Sequence, residues 1–208
     1  GPSELKLNPT KPVPRPGPYE VLLETEAVGL CFSDMKVLKQ FGQHPRKAEV
    51  VSGIDASVLA GFAGYAPDDR PTVPGHEISA RVVAVGEAVT HYRVGQRWLV
   101  QPDFRALKTP TSNGAMGYNF EGALQRYVLV DERIVGDPTK DGSYMIAASE
   151  GPSASAIALV EPWGCVENSY ATPERIKFKQ RGRVLIVVES GFQAGDYEGL
   201  IDPEGPPS

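Results

Sequence analysis

Apolar and polar positions alternate most regularly in the stretch that begins at Glu77. Ile78, Ala80, Val82 and Ala84 recur at every second position with mainly polar residues between them, which is the period of a half-buried strand. Three further segments are rich in β-prone residues and have turn signals near them: residues 19–28, 92–100 and 124–130. The pattern therefore predicts a mainly β protein made of short strands.

Helical spacing adds a few helices, which are predicted over residues 33–40, 56–62 and 153–172. In the first of them, Ser33 or Asp34 is the candidate N-cap, and Gly42 is the candidate end. Pro162 lies inside the last segment, so we expect a break there or a proline in the first turn of a helix.

Two segments differ from both patterns. Residues 103–122 are polar and contain glycines, and we expect a long loop, which in a compact domain is more often functional than accidental. Residues 184–188 form an aliphatic run typical of a strand buried on both faces of a parallel sheet. After this run the periodicity is lost over residues 189–208.

Composition limits the class of protein. The 208 residues are 41% apolar, enough for one good core. A formal net charge of −5 without a stripe of Lys and Arg argues against a nucleic-acid partner. No apolar run approaches the roughly 20 residues that cross a bilayer, so no membrane partner is expected. The N-terminus shows no secretory signal, although residues 1–3 resemble a remnant of tag cleavage. Two distant cysteines make no disulfide framework, which favours a reducing, cytoplasmic setting.

The candidate chemistry lies in Cys31, His76 and Glu161. Thiolate, imidazole and carboxylate are all zinc ligands, and three protein ligands with one open position define a catalytic zinc site. One thiolate and one carboxylate would also neutralise Zn²⁺, and Asp34 could orient His76 through its second ring nitrogen. Each residue also has a structural explanation: a core cysteine, a structural histidine, and a glutamate that complements the dipole of a helix beginning at Pro162.

Four blocks resemble, in order, the zinc-dependent medium-chain dehydrogenase/reductase family of alcohol and polyol dehydrogenases. They are residues 21–23 with Ala27-Val28-Gly29-Leu30-Cys31-Phe32-Ser33-Asp34; Val73-Pro74-Gly75-His76-Glu77 with residues 81–86 and 94–97; residues 121–127; and Ala158-Leu159-Val160-Glu161-Pro162. The resemblance covers roughly residues 12–188. It implies a GroES-like, partly open β-barrel catalytic domain over residues 4–180.

The resemblance also implies roles for individual residues. Cys31 and His76 would be zinc ligands, with Glu161 in the third position, where family members vary. Ser33 would relay the proton of the substrate alcohol, and Glu77 would approach the zinc from behind. The glutamate in the third position is similar to the sorbitol and glucose dehydrogenase branch, so the implied substrate is a small alcohol, polyol or sugar. A homo-oligomer is a further implication of the family.

Four departures from the family pattern qualify this expectation. Residues 101–122 lack the cysteines of a structural zinc lobe, so we expect one catalytic zinc and no structural zinc. The long interval before His76 predicts an insertion over residues 45–70. Lys36 stands where many relatives carry a relay histidine; it either ends the relay, meets an anionic substrate or is an exposed helical lysine. Cys165 rivals Glu161 as third ligand.

The end of the chain, where the family carries its cofactor-binding domain, departs most strongly from the family pattern. The glycines of residues 189–199 do not have the Gly-x-Gly-x-x-Gly spacing of a dinucleotide-binding turn. We therefore expect no complete Rossmann domain, with residues 181–208 as its remnant or replacement, and NAD(P) binding only in a full-length protein. Alternatives to a dehydrogenase domain that is inactive alone are a non-redox zinc lyase or isomerase module and a metal-free binding barrel.

Overall fold

The structure, a computed structural model, describes residues 4–137 and 142–171. The chain divides into two compact units, Gly1–Glu161 and Pro162–Ser208. The first unit holds every strand described below. The described part of the second is the end of one helix, and the predicted strand 184–188 and remnant 181–208 lie outside the described residues. No helix in the described part of the chain is long and apolar enough to cross a membrane.

In chain order the described residues form β1 (Glu20–Gly29), α1 (Phe32–Gln40), two 3-10 helices (Phe41–Gln43 and Pro45–Lys47), α2 (Ala56–Gly61), β2 (Glu77–Val85), β3 (Arg97–Val100), β4 (Asp103–Lys108), β5 (Asn113–Ala115), β6 (Tyr127–Asp131), α3 (Glu132–Val135), β7 (Gly136–Asp137), β8 (Gly142–Ser143), β9 (Met145–Ala147), α4 (Ala154–Ala158) and α5 (Val160–Ala171).

Five strands form one antiparallel sheet in the order β6-β1-β2-β3-β9. The edge strands β6 and β9 are not neighbours, so the sheet is open rather than a closed barrel. Its inner face is the core, where Val21, Leu23, Ile78 and Ala80 are fully buried. Glu77 and Ser79 of β2 are buried as well, so the first half of this strand is covered on both faces and the predicted half-buried strand is only partly observed. The mainly β fold with a few helices is confirmed.

The prediction of a loop over residues 103–122 was wrong, because the segment contains the antiparallel pair β4 and β5. Phe104 and Leu107 are buried but are separated by exposed or partly exposed residues. Their spacing of three is not that of a regular strand, since the β4–β5 register shifts between Phe104 and Lys108. The strand predicted over residues 92–100 begins only at Arg97, and Gly95 precedes it with a φ of 91°.

The helix ends also differ from the prediction. Cys31 is the N-cap of α1, and Ser33 and Asp34 lie in its first turn. Asp34 instead accepts a hydrogen bond from the Cys31 backbone N–H at 2.9 Å. Phe41, with a φ of 43°, ends the helix one residue before Gly42. The last predicted helix is interrupted at Leu159 and continues as α5. Pro162 lies in the first turn of α5, which is one of the two arrangements expected for this proline.

The predicted insertion, residues 45–70, is bonded to β4 through backbone groups: Val51 N to Lys108 O at 2.7 Å and Lys108 N to Ser52 O at 2.9 Å. Lys47 within it is fully buried and donates to the carbonyls of Ala66 and Arg70. Burial lowers the pKa of Lys47 to about 8, although nearby aspartates oppose the shift.

The lowered pKa of Lys47 should make the free energy of unfolding depend on pH. Its folded pKa lies below the unfolded value of 10.5, so the folded state binds fewer protons between these two values and stability rises with pH across this window. We expect the unfolding free energy of the natural protein, relative to a Lys47→Met variant, to increase by about 3 kcal/mol from pH 8 to pH 10.5. Chemical denaturation at several pH values measures this difference. Lys39→Met, at an exposed lysine of α1, is the control; parallel curves for Lys47→Met and the natural protein would contradict the prediction.

Candidate active site

Strand pairing brings together two segments that are distant in sequence. Gly29, the last residue of β1, pairs with Glu77, the first residue of β2. Cys31 follows Gly29 by two residues, and His76 immediately precedes Glu77. The register of one antiparallel pair therefore places both predicted zinc ligands at the same end of the sheet.

The side chains of Cys31, His76 and Glu77 converge there. One potential ligand atom from each lies within 4.8 Å of the others. A search of residues 4–137 and 142–171 for three or more His, Cys, Asp or Glu side chains that could hold a metal finds this group. His76 and Glu77 are buried, whereas Cys31 is half-buried. A thiolate and an imidazole held this close fit the preferences of zinc.

Asp34 fixes the two ligand-bearing segments relative to each other. Its carboxylate accepts from the backbone N–H of Cys31 at 2.9 Å and from that of Gly75 at 3.0 Å. Gly75 has a φ of 94°, a conformation that glycine adopts without strain. The same carboxylate lies 3.5 Å from Nδ1 of His76, longer than an ordinary hydrogen bond, so this contact acts chiefly through charge. Since Nδ1 faces Asp34, Nε2 is the nitrogen of His76 available to a metal.

The electrostatics favour a positive charge at this point. Burial disfavours the charged imidazole, but Asp34 and then Cys31, through hydrogen bonding and charge, raise the pKa of His76 to about 9. Burial also opposes ionisation of Asp34, yet His76 and the two backbone N–H groups hold the pKa of this carboxyl below its usual value. A metal cation beside Cys31 and His76 would meet the same demand as a proton on the imidazole.

Glu77 lies against the backbone of Gly29. A Cβ atom added to Gly29 would stand 2.0 Å from Oε2 of Glu77 and 3.0 Å from its Cβ. The absence of a side chain at Gly29 therefore leaves room for the Glu77 carboxylate at the cluster, and its approach to a zinc ion from behind stays a prediction.

Ser33 also reaches the cluster. Its Oγ lies 3.1 Å from Nε2 of His76. The ring of Tyr118 is buried with its centroid 5.7 Å from that of His76. Burial raises the pKa of Tyr118, and a hydrogen bond with Ser33 opposes this shift. Ser33 thus stands between the histidine and a buried phenol.

Sequence reasoning missed three residues on this side of the site. Tyr118 lies in the segment predicted as a loop, where the one available signal was an aromatic residue among glycines and polar residues. The ring centroid of His44 is 5.0 Å from that of Tyr118, and Cζ of Arg46 is 5.7 Å from it. His44 directly precedes the predicted insertion and Arg46 lies within it, and no local pattern connects them with residue 118.

The remaining predicted residues stand as follows. Lys36 is exposed on α1, with Nζ 5.7 Å from the Phe32 ring centroid. Glu161 lies in the first turn of α5, and Cys165 is exposed on the same helix. Neither belongs to the described cluster, and the choice of third ligand stays a prediction.

Comparison with known proteins gives the same picture. The family of alcohol dehydrogenase GroES-like domains matches residues 17–137, more than half of the chain. Sorbitol dehydrogenase from Bos taurus is 36% identical over 102 residues, which are 49% of this chain and 23% of the relative. (R,R)-butanediol dehydrogenase from Bacillus subtilis is 33% identical over 132 residues, covering 53% of this chain and 36% of the relative.

Two solved structures share the fold. 2R,3R-butanediol dehydrogenase from Bacillus subtilis superposes with a TM-score of 0.57 at 24% identity, covering 82% of this chain and 44% of the other. A zinc-binding dehydrogenase from Sinorhizobium meliloti bound to NADP gives 0.54 at 22% identity, covering 79% and 41%. The open, mainly β architecture is therefore GroES-like, as expected from the sequence. The chain spans less than half the length of each of these four proteins.

Proposed function

The chain belongs to the medium-chain dehydrogenase/reductase family through its alcohol dehydrogenase GroES-like domain, and on this premise we propose that it is the zinc-binding catalytic domain of an NAD(P)-dependent alcohol or polyol dehydrogenase. The observation that supports this most directly is the convergence of Cys31, His76 and Ser33 at the paired ends of β1 and β2. A cytoplasmic setting and a homo-oligomer remain predictions.

Cys31 and His76 would hold the zinc, with Glu161 as the third ligand. Bound zinc supplies a Lewis acid that lowers the pKa of the substrate hydroxyl, and a nicotinamide supplies the acceptor for the carbinol hydride. Asp34 keeps the His76 ring in one orientation and strengthens it as a ligand.

Ser33 would relay the proton that leaves the substrate hydroxyl, accepting it at Oγ while its own hydroxyl proton passes to water. Its Oγ stands beside Nε2 of His76, and with Nε2 used as a metal ligand that hydroxyl would be free to bond the substrate oxygen. The contact with Tyr118 then limits the positions that the Ser33 hydroxyl can adopt. Glu77, the third residue of the cluster, would approach the zinc from behind.

The first test is metal analysis of protein purified without chelators. We expect about one zinc ion per chain, and no second, structural ion. The full-length protein should oxidise alcohols or polyols only when NAD⁺ or NADP⁺ is added. Absence of zinc while Cys31 is intact would contradict the metal assignment, and turnover without nicotinamide would indicate a lyase or isomerase instead.

The third ligand can be assigned by a pair of variants. We expect Glu161→Gln to weaken zinc binding about tenfold or more, because it removes a charged ligand. Cys165→Ser should leave the zinc dissociation constant unchanged. Competition with a chromogenic chelator measures both values, and the opposite pattern would assign the third position to Cys165.

A further inference from the structure

We propose that the rim formed by His44, Arg46 and Lys36 binds an anionic terminal group of the substrate, so that the site takes phosphorylated or carboxylated alcohols in preference to neutral ones. We call these three residues the cationic rim. This inference rests on the proposed dehydrogenase function and names the substrate class for the same site.

Tyr118 connects the metal cluster with the cationic rim. Its ring contacts His76, at 5.7 Å between centroids, and His44, at 5.0 Å. The guanidinium carbon of Arg46 is 5.7 Å from the same centroid. The buried Tyr118 ring thus packs between His76 and the pair His44 and Arg46, and a short polyol bound by one hydroxyl beside His76 would extend its other end toward that pair.

His44 is prepared as a hydrogen-bond donor. Its Nδ1 accepts from the backbone N–H of Arg46 at 3.2 Å, so the proton of the neutral ring is assigned to Nε2. Burial first, and then the charges of Arg46 and Lys36, lower the pKa of His44. The ring is thus a neutral donor near neutral pH, and both cations are close enough to act on it.

Arg46 is held in place by a carboxylate. Its guanidinium forms a paired contact with Asp103, with Nη1 2.6 Å from Oδ1 and Nη2 3.3 Å from Oδ2. The Nη2 contact is a hydrogen bond, whereas the Nη1 contact is an ion pair, and the remaining N–H donors of the guanidinium would serve an anion. Asp103 offsets part of the positive charge, so Arg46 alone would attract an anion only weakly.

Lys36 supplies charge that is not offset. It lies on the exposed side of α1, one helical turn after Phe32, and its described contact is with that ring. Within the described ranges it forms no ion pair with a carboxylate. Its charge contributes to lowering the pKa of His44, so Lys36 is near enough to act on that ring. The rim therefore combines an exposed cation, a guanidinium held by Asp103 and a neutral donor, which together suit a phosphate or a carboxylate.

The inference is tested with zinc-loaded protein by calorimetric titration and, in the full-length enzyme, by steady-state kinetics. The probes are glycerol 1-phosphate, glycerate and glycerol. We expect both anions to bind at least tenfold more tightly than glycerol, and the ratio between the two identifies phosphate or carboxylate as the preferred group. Increasing ionic strength should weaken only the anions.

Variants connect the binding with the rim. Lys36→Gln should weaken anion binding about three- to fivefold, and Arg46→Gln about tenfold, and each loss should be larger for the anions than for glycerol. Lys39→Gln, at another exposed lysine of α1, is the matched control. Thermal unfolding shows whether Arg46→Gln still folds, and the Lys36→Gln result stands independently of it.

Two outcomes would overturn the inference: equal binding of glycerol and the two anions, or equal effects of Lys36→Gln and Lys39→Gln. If neutral polyols are oxidised and zinc is bound while the anions gain nothing, the rim proposal fails and the dehydrogenase proposal stands. If the anions bind at the rim but zinc and hydride transfer are absent, the dehydrogenase proposal fails instead.

Discussion

His76→Gln protein is expected to fold and to lose zinc. Glutamine is close to histidine in length and can still hydrogen-bond to Ser33, but it provides no imidazole nitrogen to a metal. We expect the zinc dissociation constant to rise about a hundredfold or more, which is roughly 3 kcal/mol of binding free energy. Zinc-dependent hydride transfer by the full-length protein should fall by a similar factor or more.

The matched control for this prediction is His91→Gln. The His91 side chain is 78% exposed and pairs with Glu132 in another part of the fold, so its replacement should leave zinc binding unchanged. Zinc content by mass spectrometry and affinity by chelator competition are the measurements. If the two variants bind zinc equally well, His76 is not a ligand, and the binding-barrel alternative gains support.

The second large effect is expected for Asp34→Asn, because one carboxylate serves three partners. An asparagine can accept a hydrogen bond from the N–H of Cys31 or of Gly75, but its amide group would face the other donor. We expect a loss of about 2–4 kcal/mol in the free energy of unfolding. Zinc affinity should also fall by about ten- to a hundredfold, since the charge behind His76 is removed.

Asp55→Asn provides the comparison for Asp34→Asn. Asp55 caps α2 by accepting from the backbone N–H of Ser57, and asparagine caps a helix about as well as aspartate. Denaturation of the apo protein and zinc titration separate the two effects of Asp34→Asn. Unchanged zinc affinity together with lower stability would restrict Asp34 to a structural role.

Local patterns were sufficient for the parts of the fold that depend on short-range order. The alternation after Glu77 and the apolar run after Tyr19 identified β2 and β1, because both segments are rich in β-prone apolar residues that enter the core. Cys31, Ser33 and His76 could be named because each lies in a short motif at a strand end. The structure adds that the register of Gly29 against Glu77 is what brings these motifs together.

Other parts depend on contacts that no local pattern carries. Phe104 and Leu107 are buried by packing against distant aromatic side chains, so β4 was read as loop. Tyr118 belongs to the site because its ring contacts His76 and His44, which lie 42 and 74 positions before it in the chain. The cap of α1 was misassigned because Asp34 bonds backward from inside the first turn.

The register between β1 and β2 has a consequence for how relatives of this protein could diverge. The metal cluster is fixed by the two strand ends and the Asp34 carboxylate, whereas His44 and Arg46 lie in residues 41–72, between the segments that carry Cys31 and His76. Residues 41–72 are attached to β4 by backbone hydrogen bonds, and Lys47 bonds within them. Substitutions in this stretch that keep its core residues Leu59 and Phe62 would therefore alter the molecules admitted to the site without moving the side chains of the cluster.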